Sequence, residues 1–139
     1  MPGRSKLQVL KVVLRWVLAL FMIGGGVNHF LAPAPYVAMM PAALPWHLEL
    51  VYVSGVFEIL GGLGLLIPRT RRLAAWGLIA LLLAILPANL NMAINHLPLA
   101  GRPIPQWALW ARLPLQAVLI AWAWWFTRNE PNERKEPAP

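Results

Sequence analysis

Four apolar stretches, each close to the ~20 residues that carry an α-helix across a ~30 Å hydrocarbon layer, dominate this chain. They run over residues 8–30, 47–67, 73–95 and 107–126. The intervals between them are chemically abrupt. Ala32-Pro33-Ala34-Pro35 and the segment from Pro41 to Pro45 close the first stretch, Pro68-Arg69-Thr70-Arg71-Arg72 the second, and the run from Pro98 to Pro105 the third. Proline lacks the amide hydrogen that a helix interior needs, so no helix runs through these intervals. With 59% hydrophobic residues against 12% charged ones in 139 residues, the composition is not the balance of a water-soluble domain. The expected fold is therefore an all-α four-helix transmembrane bundle over residues 1–128. The proline-rich polar tail, 129–139, has nothing to bury and is expected to be a disordered cytoplasmic extension.

The distribution of cations predicts the orientation, because Lys and Arg are retained on the cytoplasmic side. Arg4, Lys6, Lys11 and Arg15 precede or open the first span, Arg69, Arg71 and Arg72 fill the second turn, and Arg128, Arg134 and Lys135 follow the last. Only Arg102 and Arg112 are left for the other side. Both termini are thus expected in the cytoplasm, as in a multi-pass protein of a bacterial inner membrane. Trp46, Trp107 and Trp110 near one boundary, and Trp16, Trp76, Trp122, Trp124 and Trp125 near the other, match aromatic belts. The net charge of +7 does not imply nucleic-acid binding, since the cations flank apolar spans and form no continuous face. A signal peptide cut after Ala34 would leave Pro35 directly behind the cut, so the first span is retained in the expected fold.

Polar residues inside the spans point to a site. Asn28, His29, Glu49, Asn89, Asn91, Asn95, His96, Arg112 and Gln116 fall in the outer halves, with Glu58 near the middle. An isolated charge at mid-bilayer costs about 2.5–3.5 kcal/mol on insertion scales, so Glu58 must face the bundle and find a partner or carry a proton. Gly55, Glu58 and Gly62 lie on one helical stripe, with Ser54 one turn before Glu58, and Glu49 falls on the opposite face. Asn89 and His96 share a face of the third span; Asn91 and Asn95 share roughly the opposite one. On the fourth, Arg112 and Gln116 are one turn apart beside Pro114, and Arg112 is the natural countercharge for either Glu58 or Glu49. The expected site is an outward-facing polar pocket formed by His29, Glu58, Asn89, His96, Arg112 and Gln116. The first and third spans also end alike, Gly26-Val27-Asn28-His29-Phe30 and Ala93-Ile94-Asn95-His96-Leu97, which suggests two helical hairpins in a parallel pseudo-repeat.

These motifs, together with Gly24-Gly25 before the first of them, Phe57-Glu58-Ile59-Leu60-Gly61-Gly62, Pro87-Ala88-Asn89-Leu90-Asn91-Met92-Ala93 and Arg112-Leu113-Pro114-Leu115-Gln116, span all four apolar stretches. In them the chain resembles the DoxX family of small four-helix bacterial membrane proteins. That resemblance implies association with membrane oxidoreductases, one family member being the membrane subunit of a thiosulfate:quinone oxidoreductase. Relatives that manage disulfides depend on cysteines, and this chain has none.

The residues favour a subunit that binds a quinone or similar flat apolar molecule. Asn, Gln, His and Arg can hydrogen-bond carbonyl oxygens at one end of an apolar slot, and Glu58 is the candidate proton relay. No intrinsic cofactor is expected beyond such a quinone. A second reading is a non-catalytic accessory subunit, docked through its lipid-facing surface to other membrane subunits or to a second copy of itself. A third is a metal or haem site formed by His29, His47, Glu49 and His96, although no tight ligand spacing such as His-X-X-X-His occurs. No nucleophile–base pair or phosphate loop supports independent catalysis.

Overall fold

The computed structural model describes residues 3–98 and 102–128; the expected disordered tail, 129–139, lies outside them. Five helices follow in order: α1 Lys6–Leu31, α2 Ala34–Met39, α3 His47–Leu66, α4 Arg71–Ile94 and α5 Gln106–Trp125. Among the described residues there is no β-strand. The four long helices fall within two residues of the apolar stretches. Three of them, α1, α3 and α4, are long and apolar enough to cross a membrane. α5 matches α3 in length but carries Gln106, Arg112, Pro114, Gln116 and five tryptophans.

Local chemistry sets the helix ends. Ser5 and Gln8 form a reciprocal capping box at the start of α1: the Gln8 amide donates to Ser5 Oγ (3.2 Å) and the Ser5 amide to Gln8 Oε1 (2.9 Å). At the α3–α4 turn, Thr70 Oγ1 donates to the Gly64 carbonyl (2.9 Å) and Arg71 Nε to the Leu65 carbonyl (3.0 Å). Both carbonyls belong to the last turn of α3, where the regular helical donors run out; the Ile67 amide also reaches the Gly64 carbonyl (3.3 Å). The short α2 lies in what the sequence presents as a proline-rich break. Pro35 sits in its first turn, where a missing N–H costs nothing.

Small residues build the α1–α3 hairpin. A methyl group added to Gly26 would lie 2.5 Å from the Gly55 carbonyl oxygen; one added to Gly62 would lie 2.7 Å from that of Ala19. Gly26 opposite Gly55 and Ala19 opposite Gly62 define an antiparallel pair whose backbones nearly touch, as small residues permit in membranes. On its other side α3 meets α4, with Gly61 against Leu78 and Gly64 against Ala74. The glycine run 61–64 is thereby used inside the chain.

Two apolar clusters close the bundle. One joins Leu18, Met22, Leu65, Leu78, Ile79, Ala123 and Phe126, and the other Met39, Met92, Ala93 and Leu109. The bundle's flanks stay apolar: Leu20, Phe21, Phe57, Leu63, Leu83 and Val118 are all exposed, as a lipid-facing surface requires.

Candidate functional site

Along α4 the first cluster ends at Ile79 and the second begins at Met92; along α5 the corresponding limits are Ala123 and Leu109. Between them lies a cavity of about 630 Å³ bounded by all five helices. Its wall is mostly apolar. The polar groups are His29, Tyr36, Ser54, Glu58, Asn89, Arg112 and Gln116. Phe21, Phe57 and Leu115 line it too, and each is more than half exposed, so the mouth opens on the apolar flank of the bundle. The polar pocket expected at the outer ends is thus an apolar chamber between helices, with polar groups set into its wall.

His29 and Glu58 form the central pair, with Nε2 and Oε2 2.8 Å apart. Side chains lean toward the N-terminus of their own helix, and α1 and α3 run antiparallel, so His29 and Glu58 lean toward each other. Glycine at 25 leaves the carboxylate its path: an added methyl there would sit 3.3 Å from Glu58 Oε1. On its other side His29 Nδ1 is 2.9 Å from the Val51 carbonyl and 3.1 Å from Ser54 Oγ. The Ser54 hydroxyl itself donates to that carbonyl (2.9 Å). A carbonyl can only accept, so Nδ1 carries a hydrogen. The Nε2–Oε2 contact therefore holds one shared proton, as imidazolium–carboxylate or as imidazole–carboxylic acid. Either form is net neutral, which resolves the cost of a carboxylate in the bundle. Apart from His29 Nε2, Oε2 has no donor among the described residues.

A second group joins α4 to α5. Gln116 is 3% exposed; Nε2 donates to the Leu82 carbonyl, and Oε1 accepts from Asn89 Nδ2 at 2.6 Å. Pro87 cannot donate to the Leu83 carbonyl one turn back, so the α4 ladder is broken beside the point where Gln116 enters. Arg112 pairs with neither carboxylate. Its Nη1 donates to Met92 Sδ at 3.3 Å, and Glu49 is exposed. The countercharge expected of Arg112 is supplied by His29, because the α1–α3 register brings that ring to Glu58 first.

Five of the six expected residues, His29, Glu58, Asn89, Arg112 and Gln116, line this one cavity; His96 does not. His96 follows the α4 C-cap with φ 51°, and the Leu97 amide bonds the Met92 carbonyl (3.1 Å), a Schellman ending. The paired motifs 26–30 and 93–97 therefore differ: one histidine lies buried inside a helix, the other is exposed beyond one. His47 bonds the Pro41 carbonyl (3.1 Å) at the start of α3. Among the described residues no three His, Asp or Glu side chains gather as a metal site, so His29, His47, Glu49 and His96 form no common centre.

Tyr36 has no counterpart in the sequence reading. α2 folds back so that the Tyr36 ring stands 4.0 Å from that of His29, while its hydroxyl accepts from Asn28 Nδ2 (2.7 Å). Asn91 Nδ2 holds the other end of α2 through the Met39 carbonyl (2.9 Å). The Asn91 stripe of α4 thus fixes the cover while the Asn89 stripe lines the chamber.

A family model described as a domain of unknown function (DUF8561) matches residues 18–127. The chain belongs to this family. The DUF8561 match takes in every residue that lines the cavity, from Phe21 to Leu119. No curated protein and no solved structure matches the chain.

Proposed function

We propose that this protein is a four-span, DoxX-like subunit of a bacterial inner-membrane redox system, with both termini cytoplasmic, that binds a quinone or similar flat apolar molecule. The observation that carries this reading is the cavity. At about 630 Å³ it is of the size that encloses small organic ligands, and its wall is apolar with a few convergent polar groups. The exposed apolar residues at its mouth suit a ligand arriving from the lipid. α5 supplies Arg112, Leu115, Gln116 and Leu119 to the wall, which supports counting it as the fourth span. Glu58, sharing a proton with His29, is the group suited to proton exchange with a bound ring. Electron transfer itself belongs to a partner subunit.

The test is mass spectrometry of the organic extract from gently purified protein, beside Glu58→Gln. A stoichiometric quinone that the variant loses is the expected result. A cavity holding only bulk lipid would overturn the reading and favour an accessory subunit that docks other membrane proteins or a second copy.

A further inference from the structure

We propose that the ligand is held in its hydroxyl-bearing form, so that the chain binds a quinol in preference to the matching quinone; this rests on the quinone-type reading above. Donors and acceptors in the cavity wall do not balance. Gln116 Nε2 faces the Leu82 carbonyl, which can only accept, and this fixes the orientation of the Gln116 amide. Gln116 Oε1 is then the acceptor for Asn89, and Asn89 must present Nδ2 to it. The Asn89 orientation is fixed in turn, and its Oδ1 is left as a buried acceptor with no donor among the described residues.

Arg112 is the reverse case. Its guanidinium carries five N–H groups, and Met92 Sδ takes one of them. The cavity thus offers an unmet acceptor and an under-used donor together. A hydroxyl serves both: its hydrogen goes to Asn89 Oδ1, and its lone pairs accept from Arg112. A quinone carbonyl accepts from Arg112 and leaves the Asn89 oxygen unmet. Sites that hydrogen-bond a hydroxyl discriminate strongly against analogues lacking its hydrogen.

The experiment is equilibrium dialysis, under anaerobic conditions, of the full chain in lipid nanodiscs against a short-tailed benzoquinol and the matching benzoquinone. The expected result is quinol binding tighter by about tenfold or more. Arg112→Met should weaken both forms, whereas Asn89→Leu should weaken the quinol selectively and bring the ratio toward one. The wild-type ratio decides the proposal even where Asn89→Leu fails to fold: equal binding, or tighter quinone binding, overturns the preference while leaving a quinone-type site intact. Binding of neither form overturns the quinone-type reading itself.

Discussion

Replacing Gly26 by alanine should separate α1 from α3, and Gly24→Ala on the same helix provides the control. At Gly26 the new methyl would lie 2.5 Å from the Gly55 carbonyl oxygen, 2.7 Å from Ile59 Cγ1 and 3.1 Å from Glu58 Cβ. Carbon contacts are comfortable near ~3.5 Å, so the helices must part by about 1 Å. Such overpacking costs about 1–3 kcal/mol. At Gly24 an added methyl meets nothing within 4 Å. Both variants gain the same helix propensity, roughly 0.5–1 kcal/mol, so their difference isolates the clash. Unfolding in mixed micelles, followed by circular dichroism, should show Gly24→Ala slightly stabilised and Gly26→Ala less stable than it by ~1–3 kcal/mol. The separation should also pull His29 away from Glu58 and weaken ligand binding. Equal stability of the two variants, or a more stable Gly26→Ala, would refute the α1–α3 register.

Gln116→Leu strips a donor from the Leu82 carbonyl and an acceptor from Asn89, and should lower stability by about 1–3 kcal/mol per orphaned group in the same assay. His96→Gly removes the left-handed penalty at the end of α4 and should stabilise the protein by roughly 1 kcal/mol, with ligand binding unchanged; a loss of binding would return His96 to the site. A protease or label that reaches residues 129–139 only after the cells are opened is the result expected of a cytoplasmic tail. Access in intact cells would contradict the proposed orientation.

Helix positions were legible because proline and arginine interrupt the apolar runs sharply. The sequence also indicated that Glu58 needs a partner inside the bundle. It did not indicate which partner, since charge alone favours Arg112, while the choice of His29 depends on the register that Gly26 and Gly55 impose. The likeness of His29 to His96 misled for a related reason: matching pentapeptides do not specify whether the helix continues past them. α2 was hidden because prolines read as breaks even where Pro35 can open a helix, and with it went Tyr36. That Asn89 and Asn91 do different work did follow from helical periodicity.

The central claim is that the cavity between the helices receives a quinone-type ring. Photolabelling in native membranes with an azidobenzoquinone, followed by peptide mapping, tests it most directly. The account predicts modification of cavity-wall peptides, around Phe57 in α3 and Leu115 in α5, suppressed by excess unlabelled quinol and reduced by Glu58→Gln. Label confined to the tryptophan-rich end of α5 or spread evenly over the lipid-facing surface, and insensitive to competitor, would contradict it.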